Sequence, residues 1–179
     1  MPFPLAFVPK DCFFSGGRRF GADREGGKRK HAACDLIAPV GTPIYAIRDG
    51  VVVIEAGTYF YHGTRSLAVK HSDGVIVRYC EIAKAAPGLR LGSPVSSGQI
   101  IAYVGKMFHL SMLHFELYKG TGDGPLTNKS NKPFQRRSDL IDPTQLLKSL
   151  MSEMPGKAEA GGAAGGLGVG STYDGGVFV

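Results

Sequence analysis

The chain has 179 residues, 43% of them hydrophobic, with a formal net charge of +6 and a pI near 9.3. This length and apolar content fit one domain with a sizeable core. No apolar run reaches the roughly 18 residues that a membrane-spanning helix needs. The positive charge suits an anionic partner without choosing among wall polymer, nucleic acid and acidic lipid.

The chain starts Met1-Pro2-Phe3-Pro4-Leu5-Ala6-Phe7-Val8-Pro9-Lys10. Prolines interrupt the continuous apolar stretch of a signal peptide and no basic leader precedes it, so ordinary export is not expected. Synthesis in the cytoplasm follows from that expectation. The cysteines, Cys12, Cys34 and Cys80, form no metal-spaced pair. Their odd number, without an export signal, argues for reduced thiols. Arg18, Arg19, Arg24, Lys28, Arg29 and Lys30 form a basic cluster. It lacks the interleaved aromatics that stack on bases, so nucleic acid is not the expected partner.

His31 and Asp35 follow, in Lys30-His31-Ala32-Ala33-Cys34-Asp35-Leu36. Residues four apart in an extended strand lie about 13 Å from each other. The two can therefore share an ion only if the chain turns, and Pro39 and Gly41 just beyond favour a bend leading into a strand over a helix. With His114, in Met112-Leu113-His114-Phe115-Glu116, they form two imidazoles and a carboxylate. That is a three-ligand zinc set with an open fourth position, as hydrolysis requires. Cys34 would close the site if it joined, and a small, buried role suits it better.

Residues 44 to 118 read as strands. Ile44-Tyr45-Ala46-Ile47 and Val51-Val52-Val53-Ile54 are apolar runs split by Asp49-Gly50, a hairpin-type signal. Leu67 to His71 and Val75 to Tyr79 flank Ser72-Asp73-Gly74, a second such turn. Tyr59-Phe60-Tyr61-His62-Gly63 is an aromatic loop able to wall a cleft, with His62 a candidate substrate contact. Ile100 to Val104 and Met112 to Tyr118 complete the set. Short strands with glycine turns indicate a mainly β protein, an antiparallel, sandwich-like single domain with a short C-terminal helix, in which the three-ligand set would make an open zinc cleft.

Alternation puts Met112, His114, Glu116 and Tyr118 on one face of the last long strand, with Leu113, Phe115 and Leu117 inward. It also pairs Tyr79 with Glu81, and both are expected to face the cleft. A helix is expected from Asp142, with Pro143 at its first position and Gln145 in a capping box, running through Leu146, Leu147 and Leu150. The domain spans 1–152. Residues 153–179, rich in glycine, lack the apolar periodicity to offset ordering entropy and read as a flexible tail.

Several of these segments together resemble the lysostaphin-type zinc endopeptidases that hydrolyse peptidoglycan. They are His31-Ala32-Ala33-Cys34-Asp35-Leu36, then Ala38 to Ala46, then Asp49-Gly50-Val51-Val52, then Gly98 to Gly105, then Leu113-His114-Phe115-Glu116, and finally Asp142-Pro143-Thr144. The signature runs over residues 18–150 in the family's order. The resemblance implies one zinc ion on His31, Asp35 and His114. It also implies two further histidines that do not bind metal, and this chain has Met112 and Glu81 at those positions.

Peptide hydrolysis still needs a base and oxyanion stabilisation. Glu81 is the candidate base, with His109 as an alternative source of the lost imidazole. Tyr79, Met112, Arg24 and His62 are candidate substrate-binding residues, and Arg24 or Arg19 could stabilise an oxyanion. Two functions follow from the resemblance. One is a zinc endopeptidase cutting stem peptides or cross-links of peptidoglycan. The other is a non-catalytic, zinc-retaining module that binds wall peptide or a protein. Without a leader, an enzyme of this kind is expected to reach the cell wall or periplasm by injection or lysis, as an antibacterial or lytic protein. Delivery machinery and an immunity protein are then its expected protein partners.

Overall fold

The computed structural model describes residues 2–155. The tail expected from residue 153 lies, from residue 156 on, outside the described residues. A two-stranded ribbon, β1 (Asp23–Arg24) and β2 (Arg29–Lys30), precedes a larger antiparallel sheet. Six strands of that sheet run side by side in the order β11 (Leu140–Ile141), β10 (Met112–Tyr118), β7 (Ile76–Ala85), β6 (Arg65–His71), β5 (Gly50–Tyr59) and β8 (Pro94–Val95). Off this path, β3 (Cys34–Ile37) pairs with β10, β9 (Ile100–Val104) with β7, and β4 (Pro43–Tyr45) with β9. The α1 helix (Thr144–Ser152) follows. The expected mainly β, antiparallel architecture with one short helix is what forms.

Ser72-Asp73-Gly74 makes the expected hairpin: the His71 amide donates to Val75 O at 2.8 Å, and β6 and β7 run in register from Lys70 opposite Ile76. Asp49-Gly50 does not make one. β4 pairs with β9, while β5 pairs with β6 and β8. Gly50 instead sits inside the sheet, where a Cβ would lie 2.5 Å from Lys70 O and 2.8 Å from a Val69 methyl. It is a close-approach glycine rather than a turn glycine. At the helix start, the Thr144 amide donates to Asp142 Oδ1 at 2.8 Å. Asp142 thus satisfies an open amide by itself, and Gln145, which is exposed, forms no part of the cap.

Alternation along the central strands divides the sheet into two unlike faces. Leu113, Phe115 and Leu117 of β10 join Val77 and Tyr79 of β7, Leu36 of β3, Phe3, Leu5 and Phe13 near the amino terminus, and Leu147 and Leu150 of α1 in one apolar core. Of the three leucines expected along the helix, Leu147 and Leu150 are buried and Leu146 is partly buried against the same core. On the other face Ser66, Arg78, His114, Glu116 and Arg136 are all buried.

The central strand changes partner part-way. β7 pairs with β10 as far as Cys80, opposite His114, and from Ile82 onward with β9. Glu81 stands at the changeover with a left-handed backbone, φ 62°. For a non-glycine residue that conformation costs about 1–2 kcal/mol. Gly105 makes the junction possible. Its amide donates to Glu81 O at 2.8 Å, and a Cβ there would fall 2.7 Å from the same oxygen.

Candidate metal centre and cleft

The chain bends at residues 31–33 and enters β3 at Cys34, so His31 and Asp35 meet although four residues apart. β10 lies antiparallel to β3 with His114 directly opposite Asp35, and opposed residues project from the same face of a sheet. The outcome is a tight triangle. His31 Nε2 lies 3.1 Å from Asp35 Oδ1 and 3.3 Å from His114 Nδ1, and His114 Nδ1 lies 3.0 Å from Asp35 Oδ1.

Each imidazole is oriented by its other nitrogen. His31 Nδ1 lies 2.8 Å from Arg19 O, a group that can only accept, so Nδ1 carries the hydrogen and Nε2 its lone pair. His114 Nε2 lies 3.1 Å from Glu116 Oε1, which likewise leaves the Nδ1 lone pair free. Three lone pairs therefore converge on one point, and only a cation or a proton reconciles them. Tetrahedral zinc, with bonds of about 2.0–2.1 Å, separates its ligand atoms by about 3.3–3.4 Å. The observed separations fit that with little adjustment.

The electrostatics agree with this donor set. Asp35 pays the desolvation of its burial, yet the hydrogen bonds and charges of His114 and His31 hold its carboxyl below the ordinary aspartate range. Burial pushes His31 down, toward the neutral form that binds metal. Burial also opposes charge on His114, but its hydrogen bonds to Asp35 and Glu116 prevail and raise it to about 9 in the absence of a cation. A proton and a metal compete for that Nδ1, so affinity for metal falls with falling pH.

Around the triangle lies a cleft of about 410 Å³. Arg24, Glu25 and Arg29 bring charge to it, while Phe60, Tyr61, Met107, Phe108, Leu110 and Met112 bring apolar surface. Glu81, His62 and Arg136 also line it. Glu81 is buried, its Oε2 has no hydrogen-bond partner among the described residues, and burial with the nearby Asp35 charge pushes its pKa up to about 7 against the pull of His114 and Arg24. Arg24 lies 3.5 Å from Asp35 Oδ2 and is anchored on Gly17 O at 2.7 Å. The His62 and Phe108 rings meet at 4.1 Å between centroids. The aromatic loop does wall the cleft.

Two expected site residues lie elsewhere. Tyr79 does not face the cleft. It is opposite Phe115 in the register, fully buried in the core, where its hydroxyl accepts from the Ile47 amide at 3.3 Å and its ring stands edge-on to Phe115 at 5.6 Å. Alternation does put Tyr79 and Glu81 on one face, but the left-handed turn at Glu81 breaks the alternation and sends only Glu81 into the cleft. His109 is exposed on the loop between β9 and β10 and is not part of the cleft lining. Cys34 packs in the core, 3.5 Å from Thr144 Oγ1, away from the ligands.

Sequence reasoning missed Glu116 and Arg136 as site components. Glu116 shares a face with His114 by simple alternation, so its signal was present. Arg136 comes from a loop that no local pattern ties to the cleft.

A model of peptidase family M23 matches residues 29–130, more than half of the chain. The chain belongs to family M23. This is a metallopeptidase family, and the clustered His31, Asp35 and His114 fit a metal. Among curated relatives, the peptidoglycan DD-endopeptidase ShyC of Vibrio cholerae is 32% identical over 102 residues, covering 55% of this chain and 23% of its own length. The glycyl-glycine endopeptidase ALE-1 of Staphylococcus capitis is 33% identical over 92 residues, covering 51% of this chain and 25% of its own. The chain thus spans about a quarter of the length of these relatives. The antimicrobial peptidase lysostaphin from Staphylococcus simulans has a similar fold, with TM-score 0.59 and 25% identity over 83% of this chain and 53% of that one.

Proposed function

We propose that this M23 protein is a zinc-dependent endopeptidase that hydrolyses peptide bonds in the stem peptides or cross-links of peptidoglycan, with Glu81 as its general base. The observation that carries the reading is the pairing of two features in one cleft. Three lone pairs converge within 3.3 Å of one another, and beside them stands a buried carboxylate with an unpartnered oxygen.

His31 Nε2, Asp35 Oδ1 and His114 Nδ1 would hold the ion, and zinc when bound supplies Lewis acidity at the scissile carbonyl. The protein's own groups do the rest. Glu81 Oε2 takes a proton from the attacking water and returns it to the leaving amine as the C–N bond breaks. Water is thereby divided between a new carboxylate and a new amine. Arg24, which lines the cleft 3.5 Å from Asp35 Oδ2, is the candidate donor to the developing oxyanion, since Met112 has no proton to give. Met112, Phe60 and His62 line the walls against which the substrate peptide lies. The relative named as a peptidoglycan DD-endopeptidase supports this substrate class, as does a net charge of +6 suited to an anionic wall.

The second reading, a zinc-retaining module that binds wall peptide or a protein without cutting, draws on Met112 in the cleft and on the exposure of His109. Incubating zinc-loaded protein with purified peptidoglycan separates the two. The endopeptidase reading expects new amino termini and stem fragments by mass spectrometry. Retention on peptidoglycan with no new termini, across metals and wall types, favours the binding module.

A further inference from the structure

Behind His114, on the side away from the proposed ion, lies a buried cluster of charged and hydroxyl groups. Glu116 Oε1 accepts from His114 Nε2 at 3.1 Å and from Arg136 Nε at 2.6 Å. Its Oε2 accepts from Tyr118 Oη at 2.6 Å, with Arg78 at 3.5 Å. Every member is buried, and Glu116 is fully so. A lone carboxylate in such a place would be very unfavourable, and the guanidinium groups are what make it tenable.

The arginines are themselves fixed. Arg78 donates to Thr127 Oγ1 at 2.9 Å and to Ser66 Oγ at 3.2 Å. Arg136 is held by its backbone: its carbonyl accepts from Asn131 Nδ2 at 2.7 Å, and it bridges to Thr127 across the loop. Both guanidinium groups lie over the Phe60 ring, at 5.0 Å for Arg78 and 5.8 Å for Arg136. Phe60 in turn packs on His114 at 5.3 Å. Arg136 lies beyond residues 29–130, the span matched by the family.

We propose that Arg136 is a positioning residue: acting through Glu116, it fixes the orientation and tautomer of His114 and so presents Nδ1 to the metal. The geometry gives it that role because Glu116 Oε1 is the shared acceptor. A planar Nε–H at 2.6 Å locks the carboxylate plane, and the locked oxygen dictates which imidazole nitrogen carries the hydrogen. Without Arg136 the carboxylate is free to rotate toward Arg78 and Tyr118, and the ring loses its register. This inference rests on the metal site proposed above.

The test uses the full chain, with parent, Arg136→Met and Arg136→Lys compared by zinc titration and by ¹⁵N NMR of the His114 ring. The parent should bind zinc with the hydrogen on Nε2. Arg136→Met, folded by circular dichroism, should bind about 10–100-fold more weakly, the usual effect of losing a group that orients a ligand, and its metal-free ring should show a mixed tautomer above about pH 9, where the imidazole is neutral. Arg136→Lys keeps the buried cation but not the planar donor, and decides the matter if the methionine variant does not fold. It should fold and still lose at least about threefold in affinity. A folded variant, methionine or, failing that, lysine, that binds zinc like the parent and keeps its tautomer overturns the proposal. A parent that binds no zinc instead overturns the metal site itself, which the parent alone reveals.

Discussion

The two faces of β10 are built from alternate residues of one heptapeptide and do opposite things. Leu113, Phe115 and Leu117 go into an apolar core that includes residues from the amino terminus to α1. Met112, His114, Glu116 and Tyr118 face a cleft and a charged cluster that is just as buried. The apolar face gains from burial in proportion to area removed from water. The polar face gains little net from burial and depends on every donor finding its acceptor. Disturbing the first should therefore be felt as stability, and disturbing the second as loss of metal or chemistry.

The largest expected effect lies on the cleft side. Glu81→Gln keeps size and shape but removes the proposed base. Zinc content and melting temperature of the loaded protein should be retained, while peptidoglycan hydrolysis falls at least about a hundredfold. Equal rates in parent and variant would place the base elsewhere.

Next comes the core side. Phe115→Ala deletes a fully buried ring that touches Tyr79 edge-on. It should cost about 3–5 kcal/mol in denaturant unfolding. The fraction still folded should bind zinc, even though residue 115 adjoins His114. A variant that keeps full stability but loses metal would break the division between the faces.

A smaller effect sharpens the comparison through pH. In chelator-treated protein Glu81 has its pKa pushed up to about 7 from an ordinary 4.5. Below pH 4.5 the carboxyl is protonated whether folded or not, and its full contribution is present. Between 4.5 and about 7 the unfolded chain releases the proton and the folded one keeps it, so stability falls as pH rises. Above about 7 the loss is complete, at most about 3 kcal/mol. Glu81→Gln should thus match the parent near pH 4 and exceed it near pH 8 in thermal melts without metal. Zinc should shrink the difference, because the cation's field favours the ionised carboxylate. A variant less stable than the parent at pH 8 would contradict the burial cost.

The core face was legible in the sequence because alternation is a local rule, whereas the grouping of His31 and Asp35 with the distant His114 was legible only through the family resemblance. Alternation places Leu113 and Phe115 inward and His114 with Glu116 outward, while Pro39 and Gly41 argue only against a helix there: the turn they make follows β3, and the bend that joins His31 to Asp35 precedes it. What depends on register between distant strands was not legible. Alternation links Tyr79 to Glu81 and so points it to the cleft, and only the pairing with Phe115 shows that it belongs to the core. Glu81 enters the cleft through a left-handed backbone at a change of strand partner, a feature with no local signal. Asp49-Gly50 carries the composition of a turn, but its glycine answers to the crowding of β6. Arg136 reaches Glu116 from twenty residues downstream along an irregular loop.

The most direct test of the division is one substitution on β10, His114→Ala, read by zinc analysis of purified protein alongside its circular dichroism and unfolding transition. The parent should carry about one zinc per chain. The variant should lose it while keeping its sheet spectrum and a cooperative transition, because the apolar face of the same strand is untouched. Zinc retained at the parent's level in His114→Ala would contradict the account.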